Sequence, residues 1–199
     1  MSASTAIMDN PDRAVIARRL ALAAAFVATV YAANWALEQF GLIELPLIGW
    51  MAPAGVFFAG LGFGIRDALH ESGGRSWVFA CIAMGAGLSY WVSDGVTIPG
   101  GHASIAVAGG IAFTLSELAD FAVYAPLRER AWVGAVILSN LVGAVIDSAL
   151  FLWLAFGDPF GAMGGQVLGK ALMILPALPI VWGVRRRALP RYRIDLAGA

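Results

Sequence analysis

The chain has 199 residues, of which 60% are apolar and 13% are charged, and its 13 basic residues balance its 13 acidic ones. A mean hydropathy of +0.78 is far above that of soluble domains, so the composition predicts one integral membrane domain and excludes a large soluble one. The single cysteine, Cys81, excludes an internal disulfide and a cysteine metal cluster.

Six windows of mostly apolar residues follow one another along the chain. A hydrocarbon core of about 30 Å needs about 20 helical residues, so each window predicts one transmembrane helix. The alternation of apolar and polar residues that marks the strands of a barrel is absent from the sequence, which favours helices. The predicted spans are residues 19–39, 46–65, 77–96, 103–125, 132–156 and 162–184.

These spans define an all-α integral membrane fold, a six-transmembrane-helix bundle over residues 19–184. We expect an N-terminal tail over residues 1–18 and a basic tail over residues 185–199. The first span also has the basic start, apolar centre and small-residue site of a signal peptide. Its apolar stretch continues through Trp35 and Leu37, however, which favours a membrane span.

The basic residues fall on one side of this arrangement. Twelve of the 13 precede span one, follow span six, or lie between spans two and three or four and five, and the alternate loops contain neither Lys nor Arg. By the positive-inside rule, both tails are therefore predicted to be cytoplasmic. The twelve are Arg13, Arg18, Arg19, Arg66, Arg75, Arg128, Arg130, Arg185, Arg186, Arg187, Arg191 and Arg193.

Polar side chains inside the spans indicate where a site lies. A charge at the bilayer centre costs roughly 2.5 to 3.5 kcal/mol on insertion scales, so such residues usually face the interior of the bundle. Successive residues of a helix are rotated by about 100°, so the polar residues of spans four, five and six form one stripe on each helix. Span one adds Asn34 and Glu38. The candidate site residues are Phe113, Glu117, Asp120, Asn140, Asp147, Gln166 and Lys170.

Depth along the helices predicts partners for some of these charges. Asp147 and Lys170 each lie roughly 13 Å from the outer end of their spans, so we expect them to pair, either to bind substrate or only to hold two helices together. Asp120 is expected to reach Arg66 or Arg128 near the cytoplasmic face. Glu117 has no evident counter-charge, so we expect it to be protonated, hydrogen-bonded to a group such as Asn140, or exposed to a wet cavity as a ligand-binding carboxylate.

Two glycine-rich stretches look like nucleotide loops and are interpreted otherwise. "GGQVLGKA" at 164–171 nearly matches a phosphate-binding loop, but Ala171 lacks the hydroxyl that would bind magnesium. "GLGFG" at 60–64 is typical of close packing between membrane helices. His70 and His102 lie at opposite faces, and no nucleophile and base stand at a catalytic spacing. We therefore expect no enzyme, metal or cofactor.

Four ordered segments carry a family resemblance. The chain resembles the vitamin uptake transporter family, the queuosine precursor transporters, from about residue 50 to residue 185. Members of that family usually have a string similar to "SELLD" at the position where this chain has "SELAD". The segments are "APAGVFFAGLGFGIRD" at 52–67, "SELADFAVYAPLRER" at 116–130, "SNLVGAVIDSALFLWLAFG" at 139–157 and "GQVLGKALMILPALP" at 165–179.

This resemblance implies a fold and a function. It implies six transmembrane helices, a shape similar to the substrate-binding subunits of energy-coupling-factor transporters, and import of 7-deazaguanines such as 7-cyano-7-deazaguanine or 7-aminomethyl-7-deazaguanine across the bacterial cytoplasmic membrane. The edge of such a base has two adjacent N–H donors, which a carboxylate such as Glu117 can accept, and a carbonyl oxygen to which Asn140, Gln166 or Lys170 can donate.

The mode of energy coupling stays open at this point. The expected partners are a purine-like small molecule, the lipid bilayer and a proton as coupling ion, with no nucleic acid. The chain either works as a secondary carrier or serves as the binding subunit of a larger importer. A membrane scaffold, whose buried charges only join helices, is the competing class.

Overall fold

The computed structural model describes residues 11–46, 48–92, 96–127 and 129–197, and within them every side chain except those of residues 11, 12, 92, 125 and 187–197. These residues form six helices and one two-stranded hairpin. The elements in chain order are α1 Pro11–Phe40, β1 Leu42–Glu44, β2 Met51–Pro53, α2 Val56–Gly73, α3 Arg75–Val92, α4 Ile105–Leu127, α5 Trp132–Phe156 and α6 Met163–Ala197.

Four of the described helices are long and apolar enough to cross a membrane, over Arg13–Phe40, Ile105–Tyr124, Trp132–Phe156 and Met163–Arg186. The remaining two, α2 and α3, have 18 residues each, and α2 carries charged side chains in its second half. An all-helical, multi-pass membrane architecture is therefore confirmed. The count of six spans and the orientation of both tails stay predictions.

The second predicted span, over residues 46–65, is wrong in its boundaries. Its first part lies in the β-hairpin, in which Leu42 pairs with Pro53 in antiparallel register. The helix begins only at Val56 and continues to Gly73, beyond the predicted end of the span. Arg66 consequently lies inside a helix and not in a cytoplasmic loop.

Turn chemistry explains the hairpin. Gly49 has a φ of 72°, in the left-handed region that favours glycine, and its N–H donates to the carbonyl of Leu45. The Leu45 N–H in turn donates to the carbonyl of Trp50 at 2.8 Å, which closes the turn. At the other end of the hairpin, the N–H of Ala54, which follows Pro53, donates to the carbonyl of Gly41 at 2.9 Å. Apolar composition alone does not reveal this turn, because its residues are mostly apolar too.

The helix ends contact one another at what we call the basic end. Arg19 of α1 donates from Nε to the carbonyl of Ser72 at the end of α2, at 2.5 Å. Tyr124 of α4 donates its hydroxyl to Glu71 of α2, and Arg185 of α6 lies 3.6 Å from the same carboxylate. Three helix C-terminal regions and the N-terminal half of α1 therefore meet there.

The opposite ends meet at what we call the hairpin end. A Cβ atom on Gly165 of α6 would lie 2.2 Å from the carbonyl oxygen of Met51, so the start of α6 packs directly against β2. The loop before α4 packs on the end of α5, where the His102 N–H donates to the carbonyl of Leu154 at 2.7 Å. Successive helices thus run in alternating directions between the two ends.

Glycine allows α2 and α6 to approach closely. A Cβ atom on Gly64 would lie 2.0 Å from the Cβ of Ala177, and one on Gly60 would lie 2.8 Å from the Cα of Lys170. These two glycines are four residues apart on α2 and face the same neighbour. The interpretation of "GLGFG" as a packing stretch is confirmed.

This contact predicts that Gly64→Ala lowers stability by about 1–3 kcal/mol, because the added methyl group has no room against Ala177. The matched control is Gly87→Ala on α3, where a Cβ atom would meet nothing within 4 Å. The apparent melting temperature of each variant in detergent measures the effect. Equal melting temperatures for the two variants would contradict the packing.

Candidate functional site

A cavity of about 70 Å³ lies between the helices. It is large enough for several water molecules, since one water needs roughly 10 to 15 Å³. All six helices contribute to it, so no helix pair alone defines the site. Its lining includes Asn34 of α1, Ala59 of α2, Ala86 of α3, Phe113 of α4, Asp147 of α5 and Gln166 of α6.

Two amides, a carboxylate and the hydroxyl-bearing Thr29 are the polar side chains that line this cavity. Gln166 is only 4% exposed, and its Oε1 accepts no hydrogen bond from any described residue. Asn34 is buried on the opposite helix α1, and Asp147 lines the cavity from α5. A buried amide oxygen without a donor costs free energy unless water or a ligand supplies one. The cavity therefore suits a ligand that carries N–H groups.

Aromatic rings separate the cavity from the basic end. Phe113, which lines the cavity, stacks on Phe63 of α2 with ring centroids 5.0 Å apart and planes 17° apart. Phe26 of α1 packs edge-on against Phe113 at 5.4 Å. We call Phe26, Phe63 and Phe113 the aromatic layer. It joins three helices and gives the cavity an apolar wall on that side.

A buried ionic cluster lies beyond this layer and is centred on Arg66, which is 1% exposed. Its Nη1 lies 2.9 Å from Glu117 Oε2, and its Nη2 lies 3.1 Å from Asp120 Oδ1. The neighbouring Asp67 accepts from Arg66 Nη2 at 2.6 Å. Asn140 of α5 donates from Nδ2 to Asp67 Oδ2 at 2.6 Å and accepts from Arg66 Nη2 at 3.3 Å. We call these five residues the Arg66 cluster.

The expectation that Glu117 lacks a counter-charge is wrong. Arg66 supplies one, because α2 extends past the predicted end of its span and carries the guanidinium into the bundle. Asn140 does not bond Glu117 as expected but bonds Arg66 and Asp67. The expected contact between Asp120 and Arg66 is confirmed, whereas Arg128 lies outside the described residues.

The pairing of Asp147 with Lys170 is confirmed. Lys170 is fully buried on α6, and its Nζ donates to Asp147 Oδ2 and, at 2.9 Å, to Ser148 Oγ. The ammonium also lies 6.0 Å from the centre of the Phe63 ring. This pair joins α5 to α6 at the level of the aromatic layer, with Asp147 also lining the cavity.

The structure divides the seven predicted site residues into two groups. Phe113, Asp147 and Gln166 line the cavity. Glu117, Asp120, Asn140 and Lys170 lie further toward the basic end, along the same three helices.

Sequence reasoning named Arg66 only as a partner of Asp120 and missed its contact with Glu117, because it assigned Arg66 to a loop. It missed Asp67 for the same reason, and Ser148 because hydroxyls are common in such spans. The shortage of basic residues inside the predicted spans was the available signal. One lysine cannot neutralise three buried carboxylates, which points to an arginine nearby. In the described part of the chain, no three His, Cys, Asp or Glu side chains form a metal-binding group.

The fold and cavity define a helical membrane protein with a buried polar site. The model of the family described as "Putative vitamin uptake transporter" matches residues 95–184. The family resemblance is thereby confirmed over the segment that contains α4, α5 and α6 as far as Val184. Neither the curated proteins nor the solved structures that were compared include a match.

The ion pair between α5 and α6 predicts a clear double-mutant result. Lys170→Met leaves the Asp147 carboxylate buried without its cation, which should cost about 3–5 kcal/mol of stability. Adding Asp147→Asn removes the unpaired charge, so the double variant should regain most of that loss. Melting temperatures in detergent measure both effects, with Arg130→Met in an exposed loop as control. A double variant less stable than Lys170→Met alone would contradict the pairing.

Proposed function

We propose that this protein imports a queuosine precursor, a 7-deazaguanine such as 7-cyano-7-deazaguanine or 7-aminomethyl-7-deazaguanine, across the bacterial cytoplasmic membrane as a secondary carrier. The observation that supports this most is the central cavity, in which the unpartnered oxygen of Gln166 and the carboxylate of Asp147 face aromatic side chains. The family match supports the class of function.

The cavity has the hydrogen-bonding groups that such a base requires. A deazaguanine edge presents two adjacent N–H donors and one carbonyl acceptor. Asp147 and Gln166 Oε1 accept from the donors, and the amide N–H groups of Asn34 or Gln166 donate to the carbonyl. Phe113 and Phe151, which both line the cavity, flank the planar ring.

The other predicted site residues support the residues that contact the base and do not contact it themselves. Lys170 fixes the Asp147 carboxylate, so the acceptor keeps one orientation toward the ligand. Glu117, Asp120 and Asn140 hold Arg66, which ties α2 to α4 and α5. On this account Glu117 supports the site through Arg66 and does not itself accept from the base. The proposed role is transport without a covalent step, so we propose no enzymatic activity.

One observation favours a second candidate, the substrate-binding subunit of a multi-component importer. Small residues on α1 face away from the bundle at spacings of three and four residues, which suits close contact with a partner helix. They are Ala17, Ala21, Ala24 and Ala28.

Uptake by the purified protein in liposomes separates these functions. Saturable uptake of tritiated 7-cyano-7-deazaguanine by the chain alone, measured with and without a proton gradient, is the expected result. Binding without uptake would favour the subunit. Neither binding nor uptake by a folded protein would favour the scaffold and defeat the proposal.

Gln166→Leu should weaken binding of the same base about tenfold, because one hydrogen bond to the ligand contributes about 1.5 kcal/mol. The matched control is Gln39→Leu, which makes the same change at an exposed position on α1. Equilibrium binding of the tritiated base in detergent measures both. Affinities that fall equally in the two variants, or in neither, would exclude Gln166 from the contact.

A further inference from the structure

The Arg66 cluster has more negative than positive charge. One guanidinium faces the carboxylates of Asp67, Glu117 and Asp120, which gives a formal charge of −2 if all three are ionised. Among the other described cations nearby, Arg75 of α3 lies over the ring of Phe121, and its charge also acts on Glu117. Lys170 pairs with Asp147, and Arg185 lies against Glu71.

The hydrogen bonds around Arg66 are also incomplete. Oxygens of Asp67, Asp120 and Asn140 all lie within 3.3 Å of Arg66 Nη2, and the same Asp67 oxygen also accepts from Arg66 Nε at 3.0 Å. Glu117 Oε2 and Asp120 Oδ1 are buried at ion-pair distance from Arg66 but receive no well-directed hydrogen bond from any described residue. Arg66 Nη1, 2.9 Å from Glu117 Oε2, likewise makes no well-directed hydrogen bond, so the guanidinium pairs with these carboxylates by charge without satisfying every oxygen.

Burial makes this imbalance costly. The side chains of Arg66, Glu117 and Asp120 are 1%, 3% and 6% exposed, and Asp67 is 14% exposed. Water cannot screen charges at such depth, and an uncompensated buried carboxylate usually binds a proton instead of remaining ionised. A bound proton reduces the charge and gives one carboxylate an O–H donor that can reach a neighbouring oxygen.

A narrow crevice connects this cluster with the basic end. Its volume is about 10 Å³, enough for about one water molecule, and its lining includes Asp67 and Asp120. The other charged or titratable side chains along it are His70 and Glu71 of α2 and Tyr124 of α4. Beyond the crevice, Arg75 of α3 lies over the ring of Phe121 on α4. A proton can thus reach the cluster without passing through the central cavity.

We infer that the Arg66 cluster is a proton-binding site, in which one proton is shared by Asp67, Glu117 and Asp120 and exchanges through the crevice at the basic end. In the loading step, a hydronium ion in the crevice transfers its proton to the Asp120 or Asp67 carboxylate. An O–H bond forms there, and neutral water is left behind.

This site lies against the proposed ligand cavity. The Arg66 guanidinium is 5.0 Å from the centre of the Phe63 ring, which stacks on Phe113 of the cavity wall. Binding or release of the proton therefore changes the ion pairs between Arg66 and α4, the helix that carries Phe113. We expect proton binding and ligand binding to be linked, and this link rests on the proposed function.

Infrared spectroscopy of the purified protein tests the proton site without any ligand. A pH step should remove a carbonyl-stretch band of a protonated carboxylic acid, and that band should shift in heavy water. Glu117→Gln and Asp120→Asn should each shift or abolish it, whereas Glu129→Gln, at an exposed position in the loop at the basic end, should leave it unchanged.

A wild-type protein without such a band, or a band that none of the cluster substitutions changes, would overturn the inference. Asp67→Asn serves if the other two variants fail to fold, because Asp67 is the most exposed of the three carboxylates.

Calorimetry tests the link to the cavity. Binding of 7-cyano-7-deazaguanine, measured in buffers with different ionisation enthalpies, should show proton uptake or release in the wild type and at least a twofold smaller exchange in Glu117→Gln. If the infrared band is present but ligand binding exchanges no proton, only the link between proton binding and ligand binding would be rejected. Failure of the base to bind at all, with the band present, would defeat the proposed function and leave the proton site standing.

Discussion

The buried guanidinium of Arg66 is the interaction on which the rest of the structure depends. It ties α2 to carboxylates of α4 and to the Asn140 amide of α5 at 2.9 to 3.3 Å. Without it, three buried carboxylates would repel one another in a medium that screens charge poorly. The position of α2 in turn sets the glycine contact with α6, where Gly60 lies against the backbone of Lys170. One cation thus helps to place four helices.

The aromatic layer divides the bundle by chemistry. On the hairpin side, Asn34, Asp147 and Gln166 present hydrogen-bonding groups to a small cavity. On the basic side, the guanidinium of Arg66 pairs with buried carboxylates, and the adjoining crevice has room for about one water molecule. A neutral, planar ligand suits the first region, and a proton suits the second. The stacked rings of Phe63 and Phe113 contact both, so each region can influence the other without sharing a ligand.

The sequence was sufficient to predict helices and their polar stripes, because the cost of burying charge in a membrane fixes which faces turn inward. It also predicted the pair of Asp147 and Lys170 from depth alone. It did not predict the hairpin, since apolar turn residues resemble a span. That error moved Arg66 out of the bundle and left Glu117 without its counter-charge. Only the structure shows that the Gln166 oxygen lacks a hydrogen-bond donor, because the sequence does not reveal which buried polar groups are unpaired.

The central claim, a ligand cavity closed from the basic end by the aromatic layer and the Arg66 cluster, is tested most directly by cysteine accessibility. In a Cys81→Ala background, Ala59→Cys places a thiol in the cavity wall, and Ala131→Cys marks the basic end. A membrane-impermeant thiol reagent should reach these two positions from opposite sides of the membrane, and 7-cyano-7-deazaguanine should slow labelling of the first only. Labelling of both from the same side, or no protection by the base, would contradict the account.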